Sequence, residues 1–366
     1  MAWGSPAVTR RRVQADNSIP YSTGNASISI QHVGMVRRLL LRLNGQLAYT
    51  KSAGGSTPDA QGPFNLVNWL NLRVNGIGTF LDASMWGLYL YNLVHFANSG
   101  FDPSSSDNTG IAQTTTATSV YNFPAVPGAS GNITGVLAQL FFPFTIELAG
   151  IKEIGLFVMQ NDEINLQLTP QWNSIGASAT PLQAPYDIAG GDSFSVTAAS
   201  TSMDVVRDFY AVPASKSDYP VVGWFHQIEQ TRVSMTTNTT EIAHPKGGIL
   251  LRCIYQCVDG TGPALMANSS ISRLQWLYGS NETPYDESIT DVLIRQRNSY
   301  GHDLPKGVLV HDFFGRGRML TDTFDTAKYQ NLRTRITTPS TPNAGSYVDV
   351  IRERLIPIGN VAESLY

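Results

Sequence analysis

The residues of this chain with the most obvious chemical potential are six histidines, two cysteines, a few paired acids and a run of three arginines. His32, His95, His226, His244, His302 and His311 never fall within four residues of one another, so no metal-ligating spacing such as H-E-x-x-H is present. A nucleophile elbow, a Walker loop and a dinucleotide fingerprint are also absent. His311-Asp312, ahead of Phe313-Phe314, is the best base or ligand pair, but its strand setting favours a packed, half-buried role. Asp322 and Asp325 in LTDTFDTAKYQNL, and the stretch FDPSSSDNTG at 101–110, carry oxygens that could chelate a cation. Neither follows the calcium-loop pattern, and both read more simply as turns with Asx hydrogen bonds. Cys253 and Cys257 are spaced C-x3-C, about 13 Å apart on a strand, which makes no disulfide framework. The expectation is a protein with no catalytic set, no cofactor and no metal, and hence not an enzyme.

Two features could still bind something. Trp69, Trp86, Trp172, Trp224 and Trp276 could form a sugar platform, although Trp69 and Trp276 occupy equivalent places in an internal repeat, which favours a packing role. Arg10, Arg11 and Arg12 sit in a polar N-terminal stretch, and read either as an arm touching nucleic acid or anionic lipid headgroups or as a solvated tail.

Composition narrows the partners. The chain has 366 residues, of which 42% are hydrophobic and 14% charged, against about 25% charged in ordinary soluble domains. Its net charge is −3, which excludes a whole-surface nucleic-acid binder. Lys152 is the only Lys or Arg between Arg73 and Arg207, so a long stretch presents a neutral surface or one covered by partners. Arginine, the better interface cation, outnumbers lysine 19 to 6. No apolar signal-peptide core opens the chain and no run of 18 apolar residues occurs, so neither a signal peptide nor a membrane span is expected.

The elements that must position these residues are short strands. Alternation marks 28–32, 35–44 closed by an Asn44-Gly45 turn, 66–74, 154–160, 163–169, 192–212, 249–258, 307–314, 331–337 and 347–356. A helix is expected over 83–97, capped by Asp82. A second is expected over 284–298, capped by Thr283 and ended by Gly301. Residues 98–132 are a long polar loop.

Four segments recur in the same order. VGMVRRLLLRLNG at 33–45 is echoed by GGILLRCIYQCVDG at 247–260, and WLNLRVNGIGTFLD at 69–82 by LQWLYGSNETPYD at 274–286. GVLAQLFF at 135–142 is echoed by GVLVHDFF at 307–314, and MDVVRDFYAVP at 203–213 by VDVIRERLIP at 348–357. A duplicated all-β unit with one inserted helix per copy predicts two tandem jelly-roll β-sandwiches with short inserted helices. The division is an arm at 1–25, a first roll at 26–212, a linker at 213–220, a second roll at 221–357 and a tail at 358–366. Leu41 should match Leu251, Gly135 should match Gly307, and Arg207 should match Arg352.

With ILLRCIYQC, the second helix, GVLVHDFF and DTFDTAKYQNLRTRIT before VDVIRERLIP in place, the chain resembles the double jelly-roll major capsid proteins of tailless icosahedral viruses, chiefly those of bacteria. The resemblance covers roughly 26–357. It implies upright jelly rolls assembled as pseudo-hexagonal homotrimers in a virion capsid, built in the host cytoplasm. Neighbouring capsomers and penton or minor capsid proteins would be partners, and Arg10, Arg11 and Arg12 would point inward to membrane lipid or genome. The competing readings are a duplicated jelly-roll carbohydrate-binding protein or enzyme, which needs a groove of convergent polar and aromatic groups, and a viral spike or decoration protein.

Overall fold

A computed structural model describes residues 11–357 apart from 23–25, 32, 60, 76–77, 97–120, 149–150, 160–164, 174, 176–184, 214–222, 261–264, 280–281, 314–322 and 329–330. Sixteen of its strands make two rolls. The first has β1 (Arg11–Pro20), β2 (Ile28–Ile30), β3 (Met35–Thr50), β4 (Val67–Val74), β5 (Gly78–Ala83), β6 (Gly131–Pro143), β7 (Leu166–Trp172) and β8 (Ser202–Tyr210). The second has β9 (Trp224–Ser234), β10 (Thr239–Ala243), β11 (Ile249–Val258), β12 (Arg273–Tyr278), β13 (Glu282–Ser288), β14 (Val308–Asp312), β15 (Arg333–Thr337) and β16 (Tyr347–Pro357). Helix α1 (Met85–His95) follows β5, and α2 (Ile289–Tyr300) follows β13.

In the first roll the sheet β1-β8-β3-β6 packs over β2-β7-β4-β5; in the second β9-β16-β11-β14 packs over β10-β15-β12-β13. Adding eight to each label of the first pair gives the second, so the jelly-roll order occurs twice. Alternation builds each core: Leu39, Leu41 and Leu43 of β3 point inward, as do Cys253, Tyr255 and Cys257 of β11. The rolls are fused through one sheet, where β5 and β9 pair in parallel with Leu81 opposite Ile228 and Asp82 opposite Glu229. The central strands β11 and β16 are in consequence buried on both faces.

All four repeats fall on equivalent strands, while two of the residue matches shift. Arg207 lies opposite Leu39 and Arg352 opposite Cys253, so with the arginines aligned Leu41 corresponds to Tyr255. Leu251 instead falls in the register shift between Leu250 and Arg252. Gly135 precedes Val136, which faces Gly45. The Gly307 carbonyl instead accepts from Cys257, the counterpart of Leu43, so β6 runs further than β14 before its positive-φ glycine.

Four local expectations are corrected. Arg11–Pro20 is not part of an irregular arm: it pairs with β8 along its length, so the first roll begins before residue 26. Asn44-Gly45 does not turn the chain. β3 continues to Thr50, with Asn44 Nδ2 donating to Asp204 at 2.8 Å and the irregularity taken up between Gly45 and Leu47. Ser84, not Asp82, caps α1 by accepting from the Gly87 N–H at 2.9 Å; Asp82 stays in β5 and accepts from the Trp69 indole at 2.5 Å. Residues 284–288, expected as the start of a helix, belong to the strand Glu282–Ser288 held by β12, and α2 begins only after its cap Ser288. Gly301 does end α2, at φ 78°. The loop 98–132 lies mostly, and the linker 213–220 almost wholly, outside the described residues.

Candidate functional site

A dense set of ionisable side chains lies at the seam between the rolls. Glu353 projects from β16 into the seam and is 2% exposed. Its carboxylate accepts from Arg252 Nη1 at 3.0 Å and from the Tyr91 hydroxyl at 3.0 Å, with His226 Nε2 at 3.1 Å and His95 Nδ1 at 3.3 Å. Arg252 also reaches Asp312 of β14 at 3.1 Å, and Asp312 accepts from the Tyr300 hydroxyl of α2 at 3.1 Å. His226 Nδ1 lies 2.6 Å from the Pro143 carbonyl, so one imidazole bridges β6 of the first roll and β16 of the second. Tyr91 and His95 come from α1, one turn apart on the face turned to the second roll.

Burial alone would raise the Glu353 carboxyl, but Arg252 and the two imidazoles outweigh it and hold it well below the usual carboxylate range. Burial pushes His95 down against the pull of Glu353. On the opposite face of β16, Arg352 reaches Thr231 at 2.8 Å, the Ala243 carbonyl at 3.0 Å and His244 Nδ1 at 3.1 Å. The Glu353 set is sealed and clamps the two β-sandwiches, while the Arg352 set ties strands within the second roll. Burial pushes the Cys253 and Cys257 thiols up to about 12, which keeps them protonated.

The sequence-predicted residues fall elsewhere. Arg10 is outside the described residues, Arg11 opens β1 opposite Tyr210, and Arg12 is exposed opposite Phe209. His311 is boxed by Trp276, Tyr285 and Phe313, and Asp312 belongs to the clamp, so the two neighbours serve different surroundings. Asp325 makes an Asx turn with the Ala327 N–H at 3.0 Å and faces Lys328 at 3.4 Å; Asp322 and 101–110 lie outside the described residues. No cluster of metal-ligating side chains occurs among the described residues, and no described helix is long and apolar enough to cross a membrane.

The tryptophans do not converge. Trp276 stacks on His244 in the second core, Trp172 packs edge-on to Tyr21, and Trp86 lies against Phe64 and Tyr89. A cavity of about 270 Å³ at one end of the seam is bordered by Trp86, Asn65 and the Arg232–Asp349 pair, with Arg232 3.8 Å above Tyr347. One tryptophan of five is too little for the stacked platform that sugar binding requires. The clamp itself was missed by sequence reasoning. Its signal was a charge inside each of two apolar runs, Arg252 in ILLRCIYQCV and Glu353 in VDVIRERLIP.

No family model matches the sequence, and no curated protein matches it. Solved structures do. The major capsid protein of Sulfolobus turreted icosahedral virus is 13% identical over 97% of this chain and 98% of its own, with a TM-score of 0.67. PBCV-1 Vp54 is 10% identical over 95% and 93%, at 0.58. The major capsid protein P2 of bacteriophage PM2 is 14% identical over 96% and 99%, at 0.52. At these identities the likeness is one of fold: along nearly its whole length the chain has the double jelly roll of major capsid proteins from icosahedral viruses.

Proposed function

We propose that this chain is the major capsid protein of a tailless icosahedral virus, assembling as a homotrimer that presents six similar rolls around one axis. The observation that carries the reading is the fusion of two jelly rolls of identical strand order through one shared sheet, matched along nearly the whole chain by capsid proteins. Chemistry agrees, since the buried ionisable groups at the seam are used for clamping. The finer features follow from the same reading: a bacterial host, a place in the virion shell after assembly in the host cytoplasm, and partners among neighbouring capsomers and penton or minor capsid proteins. Residues 221–357 supply the second roll and 213–220 the linker. Arg10, Arg11 and Arg12 contribute cationic contacts to membrane lipid or genome.

Mass measurement of the purified chain together with negative-stain microscopy tests this. A trimer of hexagonal outline, or particles, is expected. A stable monomer at micromolar concentration with no assembly would overturn the proposal. So would robust glycan binding by the monomer, which would favour the sugar-binding alternative.

A further inference from the structure

Within one chain, the outer edge of β9 is covered by β5 of the other roll. The duplicated topology contains the same two edges once more, and there they are open. β1 is the counterpart of β9, and β13 the counterpart of β5; each ends its sheet among the described residues. Resting on the capsomer reading above, we propose that β13 of one copy pairs in parallel with β1 of the next, repeating the β5–β9 junction between chains and closing a ring of three.

The register follows from the ladders. Arg207 faces Gln14 and Arg352 faces Glu229, so Gln14 is the counterpart of Glu229, and Val13 that of Ile228. Counting back from the helix caps Ser84 and Ser288, Tyr285 is the counterpart of Leu81 and Asp286 that of Asp82. Ile228 opposite Leu81 at the internal junction therefore becomes Val13 opposite Tyr285 of the neighbouring copy.

Exposure supports this pairing independently. Ile228 and Leu81 are fully buried, while Val13 is 65% exposed and Tyr285 45% exposed. Only four large hydrophobic side chains stand out in solvent among the described residues, and the inferred partners are two of them. The other two lie close to the strands that carry these edges. Val33 is held near the start of β1 through its carbonyl's bond from Arg207, and Ile294 is on α2, directly after β13. Ile294 is the sixth residue after its cap; the sixth residue after Ser84 is Leu90, fully buried. An open, exposed strand edge with apolar side chains is normally covered in the functional state. Because the two edges are different surfaces, their contact is heterologous and must close a ring or propagate. Repeating the internal junction between chains makes every roll-to-roll contact alike, and three chains then place six rolls around one axis.

The test is disulfide trapping in the full-length chain carrying Val13→Cys and Tyr285→Cys together. Cα partners on neighbouring strands lie within disulfide reach, and the native Cys253 and Cys257 are fully buried. Mild oxidation should convert more than half of the chains into covalent dimers and trimers on a non-reducing gel. Each single variant should give none, and Ala15→Cys with Tyr285→Cys, displaced by about 7 Å along the strand, should give several-fold less. Mass measurement runs in parallel. A trimer that does not cross-link overturns the edge pairing and leaves the capsomer reading standing. Cross-linking that stops at a dimer overturns ring closure. A monomer that never cross-links overturns both.

Discussion

Helices α1 and α2 occupy the same place in the two rolls, yet one is buried almost all round and the other is mostly wet. Both follow a strand directly, both are capped by serine, and both carry an amide at the eighth position after the cap. That amide does the same work twice. Asn92 donates to the Phe141 carbonyl at 2.9 Å and accepts from its N–H at 2.8 Å; Gln296 donates to the Val308 carbonyl at 3.2 Å and accepts from the Val310 N–H at 2.9 Å. Each helix thereby satisfies the backbone of the strand that follows it. The remaining positions diverge. α1 buries every residue from Met85 to Val94, whereas α2 buries only Val292, Gln296 and Tyr300. At the third position after the cap α1 has Gly87, because a Cβ there would lie 2.2 Å from the Gln230 side chain of β9; α2 has Asp291. The roll dictates the cap and the amide, and the neighbouring roll dictates the rest.

The sharpest break in the comparison is at the clamp. Glu353 corresponds to Asp208 in the first roll, since they face Ile228 and Val13 respectively. Glu353→Ala leaves Arg252 and the imidazoles buried around a missing anion, and should cost about 3–5 kcal/mol. Asp208 binds Arg38 at 2.9 Å and Arg37 at 3.6 Å, and both arginines are about a third exposed, so water can replace the carboxylate. Asp208→Ala should cost about 1 kcal/mol. Denaturant midpoints decide it, and equal losses would refute the seam's special role. Leu90→Ala against Ile294→Ala comes next: about 2–4 kcal/mol for the buried leucine, and within about 0.5 kcal/mol for the exposed isoleucine in the unassembled chain.

This comparison also measures what the sequence makes legible. The duplication, the strand order and both helices can be read from alternation and from four echoed segments, because core periodicity survives divergence. The α2 start cannot. Thr283-Pro284 imitates a helix entrance, and only pairing of Trp276 with Tyr285 reveals a strand. β1 is hidden for a related reason: RRVQADNSIP shows no apolar alternation, since Arg12 to Ala15 are exposed on both faces, and the strand is held by its pairing with β8 and by the buried Ile19. The clamp draws on five strands and helices far apart in sequence, so its residues appear as isolated charges. His311-Asp312 looks like a functional pair because neighbours in sequence look coupled, whereas on a strand they point to opposite faces.

Acid should then separate the buried histidines from the carboxylate. Burial pushes His311 down to about 3, with Arg295 adding to it; burial also lowers His95 and, with Arg352, His244. The unfolded chain takes up these protons below about pH 6.5, and the folded chain takes them up less readily. Stability is therefore full above pH 6.5 and falls as pH drops; His311, held down to about 3, contributes about 1.4 kcal/mol per pH unit over this range, and His95 and His244 add to the fall in the same direction. Glu353 has its folded value lowered too, but its contribution starts to be lost only below the unfolded carboxyl value of about 4.3. Urea midpoints at pH 7, 6 and 5 should decline, and His311→Gln should flatten the decline by about one proton's worth. A level curve over this range would rule the account out.

The smallest effect concerns the caps, and it tests whether α1 is tied to the second roll at its first turn. Ser288 is exposed and its hydroxyl serves α2 alone, accepting from the Asp291 N–H at 3.3 Å and donating to the Asp291 carboxylate at 2.6 Å. Ser84 accepts from Gly87 and also donates to Gln230 Oε1 at 2.8 Å, and the same oxygen takes the Ser84 N–H at 2.9 Å. Removing the Ser288 hydroxyl costs a cap whose donors water can reach, about 0.5 kcal/mol. Removing the Ser84 hydroxyl costs the cap and one of two bonds to a glutamine side chain that the seam buries, about 1.5 kcal/mol in all. Combining Ser84→Ala with Gln230→Ala should then cost less than the two single losses added together, because the second substitution removes a bond the first has already broken. Strict additivity in that double-mutant cycle would mean that Ser84 caps its helix just as Ser288 does, and that the seam begins only at Tyr91.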